Sequence, residues 1–256
     1  PQKMGFGQGV SFTGLGMGMA IGIFLAGLIA DRWGWRMVFG LFAIPSLVAG
    51  LVVWRNIQEP PRKEPFTLPG WVWLLLLPFP PILLFGLTAD WPVLRWLALV
   101  FPAAFLLCLV RRQPALRKSD LWFIYLGGIA PIYCLWVVGI WSPAMFIEIG
   151  VQELGRSSLL SSLLGLSAIP GLLLMGSASD HLARHGKGRK GLAALILLAM
   201  AAAMLGMGAA VAARAHPMIL AVLVFAAGFC IWGVWGPVFA LLTELTPDRI
   251  RGTSFG

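Results

Sequence analysis

Gly191-Leu192-Ala193-Ala194-Leu195-Ile196-Leu197-Leu198-Ala199-Met200-Ala201-Ala202-Ala203-Met204-Leu205-Gly206-Met207-Gly208-Ala209-Ala210-Val211-Ala212-Ala213 contains no charged residue, and Arg189-Lys190 and Arg214 close it at either end. As a helix it is long enough to cross a hydrocarbon core of roughly 30 Å, where a charge costs on the order of 3 kcal/mol. Seven more stretches lack Asp, Glu, Lys and Arg: residues 4–30, 37–54, 65–89, 96–110, 121–147, 157–179 and 215–243. Nearly every charge lies in the short segments between them. The pattern predicts an all-α polytopic membrane protein, a helical bundle of about eight transmembrane helices.

Composition points the same way, with 59% hydrophobic and 11% charged residues and a mean hydropathy of +0.87. A soluble domain carries about 25% charged residues. Recurrence of the apolar segments along the whole length excludes a lone secretory signal. Cys108, Cys134 and Cys230 all fall within expected spans, where packing suits them better than a disulfide framework.

The net charge of +9 does not indicate nucleic-acid binding, because the basic residues are scattered over loops too short to form a basic face. Their distribution orients the chain instead. If sides alternate at each span, one side receives Lys3, Arg55, Arg62, Lys63, Arg111, Arg112, Arg117, Lys118, Arg184, Lys187, Arg189, Lys190, Arg249 and Arg251, which is 14 of the 19 cations. The other receives Arg32, Arg36, Arg95, Arg156 and Arg214. The positive-inside rule makes the richer side cytoplasmic.

The first span, about residues 8–29, places Gly14, Gly18 and Gly22 on one helix face, a surface another helix can approach closely. Ser158, Ser161, Ser162 and Gly165 in the sixth span are a candidate mate for it. The proline-rich, charged stretch Glu59-Pro60-Pro61-Arg62-Lys63-Glu64-Pro65 divides the chain. The expected organisation is therefore 1–58 (two spans ending one half), 59–69 (cytoplasmic linker), 70–110 (an extra helix pair) and 111–256 (four spans of the other half). Pro78, Pro80 and Pro81 disturb the first helix of the extra pair. The chain starts at Pro1 and stops at Gly256, where another span is expected, so it reads as an excerpt.

Three ordered patterns resemble the major facilitator superfamily of secondary transporters. Gly176-Ser177-Ala178-Ser179-Asp180-His181-Leu182-Ala183-Arg184, followed by Lys187, Arg189 and Lys190, is similar to the family's cytoplasmic loop motif. Gly9, Gly18, Gly22 and Gly27 are similar to its antiporter motif on helix five, although Ile23 and Ala26 stand where a proline and a glycine are usual. Gly236-Pro237 with Glu244-Leu245-Thr246-Pro247-Asp248-Arg249-Ile250-Arg251-Gly252-Thr253 resembles the loop between helices ten and eleven. Trp35-Arg36 with Phe39 and Pro45 resembles the opening of helix six. The spans then correspond to family helices five and six, an extra pair, and helices seven to ten. The extra pair resembles the fourteen-helix branch that contains drug:proton antiporters.

The resemblance implies that the fifth and eighth spans line a central cavity for a small organic solute. Tyr133, Trp136, Trp141, Trp232 and Trp235 are the expected cavity residues, since each joins an apolar face to a hydrogen-bond donor; aromatic packing and interfacial anchoring are the alternatives. Gly176, Asp180 and Arg184 are expected to form a conformational latch between helix ends, while Lys187, Arg189 and Lys190 read as ordinary anchoring charges.

Glu148 is the candidate proton carrier, because burial would raise a carboxyl's pKa toward the working range. Its position 28 residues beyond Asp120, about 42 Å along a helix, fits a rim residue as well. His181 and His185 are one turn apart, but nothing nearby completes a metal site. No cofactor and no metal are expected.

The resulting expectation is proton-coupled secondary active transport by alternating access, of drug or metabolite efflux type. It is set in a bacterial inner membrane, with a monomer in the lipid bilayer. A symporter or uniporter for an organic acid or sugar is the alternative within transport. A polytopic membrane enzyme is the alternative outside it, and the chain shows no clustered catalytic groups for that role beyond the Asp180 loop.

Overall fold

The computed structural model describes residues 4–56 and 118–246, together with Trp96, Val100 and Arg111. Its helices are α1 (Met4–Trp33), α2 (Trp35–Asn56), α3 (Ser119–Glu148), α4 (Leu154–Ser161), α5 (Leu163–Leu166), α6 (Ala168–Arg184), α7 (Lys190–Ala212), α8 (Pro217–Gly233) and α9 (Trp235–Leu245). Six apolar helical runs among the described residues are long enough to cross a membrane: Phe12–Trp33, Trp35–Asn56, Ser119–Glu148, Leu154–Arg184, Lys190–Ala212 and Pro217–Leu245. They coincide with six of the eight expected spans. The expected linker (59–69) and all of the extra pair (70–110) except Trp96 and Val100 lie outside the described residues, as do Cys108 and the Asp248–Thr253 part of the last motif.

The chain divides into two compact units, one made of Pro1–Gly50 and Asp120–Gly256, the other of Leu51–Ser119. In the second unit the described residues are the end of α2, Trp96, Val100, Arg111, Lys118 and Ser119, and all those with a helical backbone there are exposed.

Within the first unit, α4, α5 and α6 are one membrane span interrupted twice. Pro170 has no N–H to offer the Leu166 carbonyl, and serines on the same stretch bond back to preceding carbonyls, which bends helices. Ser161 Oγ donates to the Ser157 carbonyl at 2.8 Å, Ser162 Oγ to Leu159 at 2.6 Å and Ser167 Oγ to Leu164 at 2.6 Å. These bonds also satisfy hydroxyls that would otherwise be costly in a lipid-surrounded bundle. The break between α8 and α9 has the same origin, because Pro237 deprives the Gly233 carbonyl of its helical donor.

The core is built from Val138 and Phe146 of α3, Leu164 of α5, Met200 and Met207 of α7, and Leu220, Val224 and Ile231 of α8. Helix α1 runs along the α4–α5–α6 span, and α8 packs against α5, α6 and α7. Leu195, Leu198 and Leu205 of α7 and nearly all of α2 remain exposed, an apolar exterior suited to lipid and not to water.

The close approach of α1 to its neighbour uses a different glycine face from the expected one. No described atom lies within 4 Å of a Cβ added at Gly14, Gly18 or Gly22. A Cβ at Gly16 would instead collide with the Ala168 side chain, one at Gly27 with Ser158, and one at Gly9 would stand 2.7 Å from the Leu172 carbonyl oxygen. The reciprocal site is Gly165, where a Cβ would strike the backbone of Ala20 and Gly16. The mate on the sixth span is thus the expected one, reached from Gly9, Gly16 and Gly27. The 3.6-residue period places these on a face rotated away from Gly14, Gly18 and Gly22.

Candidate functional site

An ion cluster joins the ends of four helices. Asp180 lies near the end of α6, four residues after the buried Gly176 and therefore on the same helix face. The chain then reverses through Gly186, whose φ of +70° suits a residue without a Cβ. That turn returns Arg189, at the N-cap position of α7, onto the residues just left behind. Arg189 Nη1 donates to Asp180 Oδ1 at 2.9 Å and to Ser179 Oγ at 2.7 Å, while its Nε donates to Glu244 Oε1 of α9 at 3.0 Å.

The second oxygen of Asp180 is also held. Oδ2 accepts from the backbone N–H of Phe6 at 3.0 Å, in the first turn of α1. Four orphan N–H groups and the positive end of the helix dipole make such a terminus a favourable partner for a carboxylate. Asp180 and Arg189 are both almost fully buried, with side chains 4% and 5% exposed, whereas the Glu244 side chain is 47% exposed. Removing one partner of a buried pair strands the other charge, which costs about 3–5 kcal/mol.

Arg184 was expected in this cluster and is not part of it. Its side chain is exposed, and among the described residues its Nε reaches only the Asp180 backbone carbonyl, at 3.4 Å. Arg189 takes the place the sequence reading gave to Arg184. Guanidinium chemistry separates Arg189 from Lys187 and Lys190 but not from Arg184, so the sequence carried no signal for the choice between the two arginines.

The aromatic residues separate into three environments. Trp232 is 1% exposed and its indole Nε1 donates to the Leu164 carbonyl at 2.9 Å. It is a core residue bonded to the interrupted span, which corrects its expected place on a cavity wall. Trp235 stacks on Phe239 with centroids 5.3 Å apart, and Phe239 stacks on Phe12 of α1 at 5.0 Å, so a three-ring column connects α9 to α1. Tyr133, Trp136 and Trp141 are exposed on α3; Tyr133 and Trp136 continue a face with Ile129 and Ile140.

Glu148 stands at the end of α3 with its side chain 63% exposed, 3.9 Å from Arg214 Nη2. Its exposure at the end of the span fits the expected rim position. His181 and His185 are exposed with ring centroids 4.3 Å apart. Among the described residues no group of three or more His, Cys, Asp or Glu is placed to hold a metal ion.

Apolar helices of membrane-crossing length, interrupted by prolines and serines and bound at one end by a buried ion cluster, define a polytopic integral membrane protein. The family model for the Major Facilitator Superfamily matches residues 1–256, and the chain belongs to that family of transporters for small solutes. No curated protein and no solved structure matches it.

Proposed function

We propose that the protein moves a small organic solute across the membrane by alternating access, and that the Asp180–Arg189–Glu244 cluster with the α1 N-terminus is the latch that biases one access state. The observation that carries this reading is the doubly held Asp180 carboxylate, bonded to Arg189 on one oxygen and to the Phe6 N–H on the other. Separating α1 from α6 breaks a charge-assisted contact in a nearly dry site. Such a contact is made or broken as a whole, which suits a two-state element.

Tyr133, Trp136, Trp141 and Trp235 are the proposed solute contacts, with Trp232 supporting them from the core. Gly176 permits the approach that brings Asp180 to α1. Coupling to protons, of drug or metabolite efflux type, is the leading mode, in a bacterial inner membrane. The exposure of Glu148 and the isoleucine at position 23 favour a second reading, a uniporter or symporter for an organic acid or sugar.

Reconstitution into proteoliposomes with an imposed pH gradient tests the first reading. Solute flux that follows the gradient and falls at least about tenfold in Asp180→Ala, with membrane insertion retained, is the expected result. Flux indifferent to the gradient selects the second reading, and unchanged flux in the variant removes the latch.

A further inference from the structure

A pocket of about 320 Å³ opens between the end of α1, the start of α2, the last third of α3 and the start of α4. It lies at the far end of the bundle from the Asp180 cluster, since its α1 wall is formed around Ala26 and its α4 wall by Ser158, next to Gly27. The volume is at the lower end of the range for small-molecule sites. Its wall is almost wholly apolar, and no charged side chain lines it. A charged ligand would lose its hydration there without recompense.

Two polar groups interrupt that wall. Ser158 is 3% exposed, and among the described residues its hydroxyl has no hydrogen-bond partner, unlike those of Ser157, Ser161, Ser162 and Ser167 on the same span. The second is the Gly139 carbonyl, which Pro143 leaves without its i+4 donor; both residues line the pocket. Trp35 and Phe39 form its aromatic side: they meet edge to face at 6.0 Å, and the Arg36 guanidinium lies 4.7 Å over the Trp35 ring.

We propose that this pocket is a binding site for a small neutral aryl alcohol, its ring against Trp35 and Phe39 and its hydroxyl on Ser158. A phenolic hydroxyl both donates and accepts, so it satisfies the orphan serine and is also able to answer the bare Gly139 carbonyl. An aliphatic hydrocarbon fills the space but leaves both groups unbonded, and a lipid tail does the same. None of the four proposed solute contacts is among the residues that line it.

The test uses the full chain in phosphatidylcholine nanodiscs and a diazirine-bearing phenol as photoprobe, with crosslinks mapped by mass spectrometry. Labelling should concentrate in residues 23–39 and 139–158, and 2-naphthol should compete about tenfold better than naphthalene, the difference being one hydrogen bond. In Ser158→Ala that preference should shrink to about twofold. Filling the pocket by Ala26→Phe should abolish the labelling, and Val38→Trp provides an independent filling from α2 should the first variant not assemble. Labelling spread evenly onto the lipid-exposed leucines of α7 overturns the proposal, as does pocket labelling that survives either filling or naphthalene competing as well as 2-naphthol. Transport assays on the same samples keep this outcome distinct from that of the transport reading.

Discussion

Arg189 closes on Asp180 at 2.9 Å across a nine-residue reversal, and the aspartate's other oxygen receives a backbone N–H from Phe6, 174 residues away in sequence. A loop contact between neighbouring helices is thereby tied to the start of the first helix. Removing the Asp180 carboxylate releases both ties, whereas neutralising Arg189 releases the first.

Arg189→Gln should therefore lower the unfolding free energy of the detergent-solubilised protein by about 3–5 kcal/mol, because Asp180 stays buried without its cation. Asp180→Asn combined with Arg189→Gln should recover part of that loss. Arg184→Gln, at an exposed position whose Nε reaches a backbone carbonyl at 3.4 Å, should stay within about 0.5 kcal/mol. Chemical denaturation of the four proteins checks the order, and an Arg184 effect as large as that of Arg189 contradicts the cluster.

Leucine substitutions discriminate the two glycine faces of α1. Gly16→Leu and Gly165→Leu place side chains where the partner backbone already stands, so they should prevent assembly or lower the melting temperature sharply. Gly14→Leu and Gly18→Leu meet no described atom within 4 Å and should retain wild-type melting. Fluorescence-detected size-exclusion after a heating series reads both pairs, and equal damage from the two faces contradicts the packing described here.

The different outcomes for these glycines show what the sequence carried. Membrane class, span order and the small-residue mate at Ser158, Ser161, Ser162 and Gly165 were legible, because charge exclusion from lipid and the demand for small residues at close crossings act locally. Which face of a glycine-rich helix turns inward was not legible. Gly14, Gly18 and Gly22 repeat at four, while Gly9, Gly16 and Gly27 repeat only loosely at seven and eleven, and the choice depends on complementarity with a partner 130 or more residues away. Arg189 was hidden for a related reason, since the burial that distinguishes it from Lys187 and Lys190 arises only when the Gly186 turn brings the start of α7 to the end of α6. Trp232 looked like Trp235 in sequence, and only the interruption of the sixth span at Ser162 and Ser167 explains why one is sequestered and the other stacked.

Trp232→Phe retains most of the buried ring and removes only the donor to the Leu164 carbonyl. A loss of about 0.5–1.5 kcal/mol in stability, the net contribution of one hydrogen bond to a carbonyl that Ser167 Oγ still bonds, is the expected effect, with solute affinity unchanged in the folded fraction. Trp136→Phe, on the exposed face of α3, should do the reverse, leaving stability within about 0.5 kcal/mol and weakening solute binding. Paired melting and equilibrium-binding measurements separate the two roles; weakened affinity in Trp232→Phe alone would return it to the cavity.

Lys187 and Arg214 flank opposite ends of α7, whose 23 residues span about 34 Å. The positive-inside rule, applied to the excess of cations on the Lys187 side, predicts that this end faces the cytoplasm. In a cysteine-depleted background, Lys187→Cys should react with a membrane-impermeant maleimide only after the cells are opened. Arg214→Cys should react on intact cells. Reaction of both from one side contradicts α7 as a full span.

Glu148→Gln tests whether this stretch carries the coupling proton. The carboxylate is 63% exposed and its Arg214 neighbour 78% exposed, so water screens a pair whose closest approach is already 3.9 Å. An exposed pair of this kind contributes about 0–1 kcal/mol. Transport by Glu148→Gln should therefore keep the wild-type dependence on external pH, with a rate within about twofold. Loss of gradient-driven flux with counterflow exchange preserved would be the behaviour of a coupling residue, and would require Glu148 to become buried in another access state.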